Sequence, residues 1–118
     1  MDRLLNYNKI EQMGVLKLTD LEPREQMPGF QGRFLHTDRV TVVHWEVQKG
    51  AQLPEHSHPH EQISTLTKGV FDMVIDGTET RLTAGSVAVI PPNAIHSGHA
   101  VTSCHFIDVF QPVREDYR

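Results

Sequence analysis

The sequence contains a single cysteine, Cys104, so a disulfide bond within one chain is impossible. No apolar run approaches the roughly 20 residues that a membrane-spanning helix needs. The first residues, MDRLLNYNKIEQMG, include charged and amide side chains where a secretory signal peptide requires an unbroken apolar segment. These absences predict a cytoplasmic protein without a membrane partner. Its stability must come from its core, from a metal or from a partner chain.

Basic residues are also too few, and too scattered, for nucleic acid to be the main partner. Eleven Lys and Arg stand against fifteen Asp and Glu, which gives a formal charge of −4 without a basic run. Hydrophobic residues at 38% and charged residues at 22% are ordinary for a globular protein. A chain of 118 residues with this composition predicts one compact domain.

Long helical periods are absent too, and short β-branched and aromatic runs separated by Gly, Pro and Asp take their place. Asp76-Gly77 lies between two such runs and predicts a tight type I′ hairpin. We therefore expect an all-β sandwich or small barrel over residues 33–118, preceded by an arm or edge strand over residues 1–32. The predicted strands are 33–36, 40–47, 62–67, 70–75, 78–82, 86–90, 94–99 and 103–110.

Eight histidines are the unusual feature of the composition, and three of them, His56, His58 and His60, fall within five residues. In a strand His56 and His58 would share one face at about 6.6 Å, close enough for both rings to bind one ion. Gln62 would lie about 13 Å further along a straight strand, so the chain must bend before it, and Pro59 is well placed to cause the bend.

A fourth ligand must come from elsewhere, and His96, which follows Pro91-Pro92-Asn93, is the best candidate. The alternative is that the cluster is a set of surface imidazoles on a loop. The role of His60 stays open, because Pro59 interrupts the alternation. The remaining histidines are interpreted as structural or surface residues: His36, His44, His99 and His105.

Two segments together resemble the paired motifs of the cupin family. Residues 50–69, GAQLPEHSHPHEQISTLTKG, match the first motif except that Gln62 stands in place of glutamate. Residues 85–100, GSVAVIPPNAIHSGHA, match the second, with Asn93 in place of a glycine and Ala100 in place of asparagine. Asn tolerates the same turn conformation, so the first of these two changes is mild.

The cupin resemblance implies a double-stranded β-barrel, or jelly roll, usually a homodimer, that holds one divalent metal ion on His56, His58, Gln62 and His96. Nickel, zinc, iron, cobalt and manganese all suit three imidazoles and an amide oxygen. Because all four donors are neutral, they leave the charge of the ion uncompensated. Such a site favours Lewis-acid chemistry and the binding of anions or oxygen-rich substrates.

The C-terminal stretch IDVFQPVREDYR, residues 107–118, makes the chain similar to the small pectin-degradation cupins of the KdgF type. That resemblance implies conversion of 4,5-unsaturated monouronates into linear 4-deoxy-5-keto-uronates. Asp108 would then carry the proton, Phe110 would pack against the sugar ring and Arg114 would bind the substrate carboxylate.

Structural alternatives stay open for two of these residues. Arg114 can form an ion pair with Glu115 or Asp116 instead, and Phe110 can belong to the core. A lone carboxylate such as Asp108 is costly to bury in an apolar strand without a role or a partner. Other functions also remain: an iron-dependent cupin dioxygenase that consumes oxygen, or a non-catalytic module that binds a small molecule.

Overall fold

The computed structural model describes residues 14–118 and, before them, the backbone of residues 5–6 and 9–10; the rest of the predicted arm lies outside the described residues. No helix in this part of the chain is long and apolar enough to cross a membrane. The strands are β1 (Leu5–Asn6), β2 (Lys9–Ile10), β3 (Arg24–Met27), β4 (Phe30–His36), β5 (Thr41–Val47), β6 (Gln52–His56), β7 (Glu61–Lys68), β8 (Val70–Ile75), β9 (Thr78–Thr83), β10 (Val87–Ile90), β11 (His96–Ala100) and β12 (Cys104–Gln111). Short 3₁₀ turns span Leu18–Asp20 and Glu115–Tyr117.

Two antiparallel sheets face each other and confirm the all-β jelly roll. The larger has the order β10-β7-β12-β5-β4-β3, and the smaller has the order β6-β11-β8-β9. Each of the eight predicted strands is present with slightly shifted ends, whereas β6 was not predicted. β3 is an edge strand of the larger sheet. β4 begins at Phe30, and the division of the chain into an arm and a barrel at residue 33 stays a prediction.

Alternation along the central strand β12 decides which residues face the interior. Its buried residues are Cys104, Phe106, Asp108 and Phe110, while their neighbours are more exposed. The predicted shared face of Asp108 and Phe110 is therefore confirmed. Asp108 lies opposite Ser64 of β7, and both side chains are buried.

Two turn predictions can be checked on the backbone. Asp76 and Gly77 have φ angles of 47° and 84°, and Ile75 pairs with Thr78, as the predicted type I′ hairpin requires. Asn93, at the glycine position of the second cupin motif, has a φ of 68°. Asparagine accepts this left-handed conformation more readily than most residues do, so the replacement keeps the turn before His96.

A β-bulge interrupts β6 just before the first site histidine. His96 of β11 pairs with His56, but Gly98 pairs with Leu53, so three steps along β6 match two steps along β11. One extra residue in a strand reverses the facing of everything after it. Leu53 and His56 consequently both line the interior cleft although they are three residues apart.

Candidate active site

The three site histidines are brought together by the meeting of β6, β11 and the connection to β7. His56 ends β6, and His96 begins β11 directly opposite it. His58 lies in the connection 57–60, where the chain crosses from the smaller sheet to the larger one. The expectation that His56 and His58 share one strand was therefore wrong, although the two rings do converge. Ligand atoms of His56, His58 and His96 all lie within 4.8 Å of one another.

Backbone carbonyl groups orient each of these rings. The Nδ1 atoms of His56, His58 and His96 lie 2.8, 3.1 and 2.9 Å from the carbonyl oxygens of Pro54, His60 and Ala94. A carbonyl oxygen only accepts, so each Nδ1 carries the proton and each Nε2 keeps a free lone pair. This is the tautomer that metal-binding histidines adopt when a neighbouring group holds the other nitrogen.

Gln62, at the start of β7, places its amide oxygen 3.0 Å from Nε2 of His58. His58 thus faces an oxygen acceptor on both ring nitrogens, although a neutral imidazole has only one N–H. Burial lowers the pKa of His58 to about 4, so the ring is neutral at physiological pH. A cation between the Nε2 lone pair and the amide oxygen would resolve this conflict.

The donor set fits a divalent metal ion in two further respects. Two ligands bound at right angles about 2.1 Å from one ion are about 3.0 Å apart, which is the separation of His58 Nε2 and Gln62 Oε1. Nε2 of His96 is buried and has no hydrogen-bond partner among the described residues. An unsatisfied buried nitrogen is expensive unless something binds there.

Asp108 lies behind Gln62 and is bound by three donors from two neighbouring strands. Trp45 Nε1 donates to Oδ2 at 3.0 Å, Gln62 Nε2 donates to the same oxygen at 3.2 Å, and the Ser64 hydroxyl donates to Oδ1. Burial raises the pKa of Asp108 to about 6, against the opposing effect of these hydrogen bonds. Gln62 therefore connects His58 of the histidine cluster to a buried carboxylate.

Arg114 reaches the same cleft from the C-terminal segment and forms an ion pair with Asp116. Its Nε and Nη2 atoms lie 3.0 and 2.7 Å from the two oxygens of Asp116. Glu115, the other predicted partner, instead pairs with Arg118 at 2.9 Å. The guanidinium lies over the rings of Phe110 and Tyr117, with distances of 4.8 and 4.0 Å to their centroids.

Phe110 belongs both to the core and to the wall of the site. It is 2% exposed, and its ring meets that of His58 edge-on at 5.7 Å between centroids. The two interpretations of this residue are therefore compatible. Its contact with His58 places an apolar surface next to the cluster of three histidines.

The cleft between the sheets has a cavity volume of about 50 Å³, and the space is about 500 Å³ when the open solvent at its mouth is included. Its lining combines the polar groups just described with apolar side chains. The apolar side chains are Met27, Phe30, Leu53, Phe71, Met73 and Phe106. Ligand sites commonly combine an apolar wall with a few converging polar groups.

Sequence reasoning missed three residues that line this cleft: Trp45, Ser64 and Tyr117. Trp45 and Ser64 belong to strands far from Asp108 in the sequence, so no local pattern points to them. Tyr117 lies in a charged tail, REDYR, and no sequence pattern indicates that its ring is packed inside. In the structure its ring packs against that of Phe110, with 5.8 Å between the centroids. The one available signal was the inward parity of Trp45 and Ser64 on their strands.

The remaining histidines do not join the cluster of three. His36 is fully buried and bonds Thr41 through Nδ1 at 2.8 Å, while His99 and His105 face outward beside acidic residues. Burial lowers the pKa of His44. His60 is half-buried, and its ring lies 5.5 Å from that of His58 between centroids.

Comparison with known proteins agrees with this architecture. The cupin domain model matches residues 43–110, which is more than half of the chain, so the chain belongs to the cupin family. The structure of KdgF from a Halomonas species has 26% sequence identity and a TM-score of 0.84, and the match covers 91% of this chain and 100% of that one. An RmlC-like cupin from Shewanella frigidimarina has 32% identity and a TM-score of 0.79, with 82% and 88% covered.

A curated relative, the H2HPP isomerase of Bacillus subtilis, is 29% identical over 80 residues, which are 67% of this chain and 34% of that protein. The chain thus spans about a third of the length of this relative. Taken together, the chain is a small cupin similar to KdgF, and its fold places three histidines where they can bind a metal ion.

Proposed function

We propose that this cupin converts 4,5-unsaturated monouronates into linear 4-deoxy-5-keto-uronates. The observation that carries the proposal is the presence in one cleft of a metal-binding cluster, a buried carboxylate and a buried guanidinium. These are the groups that a reaction on an oxygen-rich, anionic sugar requires. The similarity to KdgF and to a protein named an isomerase supports a reaction that rearranges its substrate.

The reaction conserves all atoms and moves one proton. The substrate has a double bond between its fourth and fifth carbons, and the fifth carbon carries the ring oxygen and the carboxylate. Loss of the proton from the anomeric hydroxyl forms a carbonyl there and breaks the bond from the anomeric carbon to the ring oxygen. The ring oxygen is left as an enolate, and protonation of the fourth carbon converts it into the keto group.

Each part of the substrate has a counterpart among the side chains of the cleft. Arg114 binds the carboxylate, Phe110 packs against the ring carbons, and Asp108 carries the proton to the fourth carbon. A divalent ion held by His56, His58, Gln62 and His96 would act as a Lewis acid toward substrate oxygens. Gln62 also donates to Asp108, which fixes the carboxylate relative to the donor cluster.

The experiment follows the ultraviolet absorbance of the 4,5-double bond of unsaturated galacturonate. Purified protein, chelator-treated protein, the treated protein after readdition of Ni²⁺, Zn²⁺, Mn²⁺, Co²⁺ or Fe²⁺, and a blank without protein are compared, because these sugars also open unaided. We expect faster loss of absorbance with the metal-loaded protein only, and a linear keto product by NMR.

Equal traces in all samples would contradict the proposal. An oxygen electrode run on the Fe²⁺ sample separates it from a dioxygenase, which would consume oxygen in proportion to substrate. Substrate binding without absorbance loss would indicate a non-catalytic binding module.

A further inference from the structure

The ion pair between Arg114 and Asp116 is unevenly buried. The side chain of Arg114 is 7% exposed, whereas that of Asp116 is 56% exposed. A buried guanidinium without a counter-charge is strongly unfavourable, but an exposed carboxylate is readily solvated by water. The pair therefore depends on Asp116 to neutralise Arg114, while Asp116 has little need of Arg114.

Arg114 does not need Asp116 to hold its orientation. Its guanidinium lies against the rings of Phe110 and Tyr117, and its backbone N–H donates to Thr41 Oγ1 at 2.8 Å. Tyr117 is itself anchored, because its carbonyl oxygen accepts a hydrogen bond from Arg24 at 2.5 Å. These contacts hold Arg114 in place from sides other than that of Asp116, so we take charge neutralisation as the main contribution of Asp116.

We propose that Asp116 occupies the place of the substrate carboxylate on Arg114 in the ligand-free protein, and that a carboxylate ligand binds by replacing it. This inference rests on the proposed function, which assigns Arg114 to a uronate carboxylate. Arg114 then has two states: it is paired with Asp116 in the ligand-free protein, and it is paired with the ligand carboxylate in the complex. Asp116 acts through Arg114 and is a positioning residue that sets specificity.

Replacement by an exchange of carboxylates explains how the site would select acids over neutral sugars. A ligand that displaces Asp116 must supply both the negative charge and two coplanar acceptor oxygens. A neutral sugar supplies neither and would leave Arg114 paired with Asp116. The internal carboxylate also weakens the apparent affinity for every acid, because part of the binding free energy is used to displace it.

Binding of D-galacturonate tests this inference without turnover, because this saturated uronate lacks the 4,5-double bond. Trp45 is the only tryptophan of the sequence and lines the cleft, so its fluorescence reports binding directly. With the protein loaded with Zn²⁺, we expect Asp116→Asn to bind galacturonate about tenfold more tightly than the unmodified protein. Glu115→Gln is the matched control, since it removes the same charge from a pair outside the cleft and should leave the affinity unchanged.

D-galactose provides the second control, since its affinity should be the same for all variants. Unchanged or weaker binding of galacturonate to Asp116→Asn would overturn the inference, as would the absence of binding to either protein. Asp116→Ser removes the same carboxylate and replaces the first variant if that one does not fold. Tighter binding together with no absorbance loss on the unsaturated sugar would support the exchange and refute the proposed reaction.

Discussion

One group of arginine, aspartate and histidine lies on the surface of this protein, and a second lies in its interior cleft. On the outer face of the smaller sheet, Arg81 binds Asp72 through two contacts of 2.8 and 3.0 Å, and His99 lies 3.7 Å from the same carboxylate. The cleft contains the second group, formed by Arg114, Asp108 and His96. The ion pair of Arg114 has contact lengths similar to that of Arg81.

Burial, and not bond geometry, separates the two groups. The side chain of Arg81 is 60% exposed and that of Arg114 is 7% exposed. The hydrogen bond from Arg81 lowers the pKa of Asp72, whereas burial raises the pKa of Asp108 to about 6. The same residue types thus form a solvated network on the surface, whereas in the cleft their charges are buried at a cost in desolvation free energy. The outer group supplies a matched control for each inner residue.

Removal of a histidine should give the largest difference between the two groups. We expect His96→Ala to lower metal affinity by more than about 100-fold and to abolish turnover, because it deletes a donor. His99→Ala, on the same strand but facing outward, should change neither. Zn²⁺ titration calorimetry on chelator-treated protein measures the affinity. Equal metal binding by both variants would show that the cluster is not a metal site.

We expect the second largest difference, in turnover, when the carboxylate charge of Asp108 or of Asp72 is removed. Asp108→Asn can stay folded, because its amide oxygen can accept from Trp45 and Gln62 while its NH₂ donates to Ser64. We expect turnover of unsaturated galacturonate to fall between about 100-fold and 10,000-fold, with little change in galacturonate binding. Asp72→Asn should turn over normally. A normal rate for Asp108→Asn would remove the proton-carrying role.

The two arginines should differ in substrate binding more than in turnover at saturation. Arg114→Ala should raise KM for the unsaturated sugar by about 10-fold to 100-fold, because a charge-assisted contact to the carboxylate is lost. Arg114→Lys should recover only part of this loss, since an ammonium group lacks the planar fork. Arg81→Ala should leave KM unchanged. A KM effect of equal size in both alanine variants would indicate a nonspecific charge effect.

The smallest expected difference concerns stability against acid. The hydrogen bond from Arg114 holds the pKa of Asp116 below its ordinary value, so the ionised form stabilises the folded state. This contribution is complete above the unfolded pKa of about 3.9 and is lost as the pH falls through the lower folded value.

Asp116→Asn should therefore unfold about 4 °C below the unmodified protein at neutral pH. The difference should close only below about pH 3.9, as the pH falls through the lowered folded-state pKa of Asp116. Thermal unfolding of both proteins across this pH range measures it, and Asp72→Asn, with its exposed partner, should show a smaller difference. A gap that widens toward acid would give the wrong sign for this ion pair.

Residue spacing was sufficient to predict eight of the strands, although not β6, and to single out the three histidines that the structure brings together. The Gly, Pro and Asn punctuation predicts where strands end, and the His-x-His motif with the later His96 predicts the donors. The type I′ hairpin at Asp76-Gly77 depends on only two residues, and the structure has it at that position.

Contacts between distant strands could not be predicted in this way. Trp45 and Ser64 meet Asp108 across 63 and 44 residues of sequence, and only the strand order of the larger sheet places them together. The choice between Glu115 and Asp116 as the partner of Arg114 depends on the 3₁₀ turn at Glu115–Tyr117. Neither the geometry of this 3₁₀ turn nor the order of the strands in the larger sheet can be predicted from the residues of the C-terminal segment alone.

The bulge in β6 makes the number of residues in that strand matter more than their identity. Pro54 and Glu55 together lie opposite Ser97, so the strand holds one residue more than its partner requires. In an uninterrupted ladder of the same length, Glu55 would stand opposite His96, and His56 would turn to the outer face. Most replacements of the exposed Glu55 should be silent, whereas an added residue beside it would move the histidine out of the cleft. The number of residues in β6 therefore decides whether His56 faces the cleft, and His56 is the residue of this strand whose identity matters to the site.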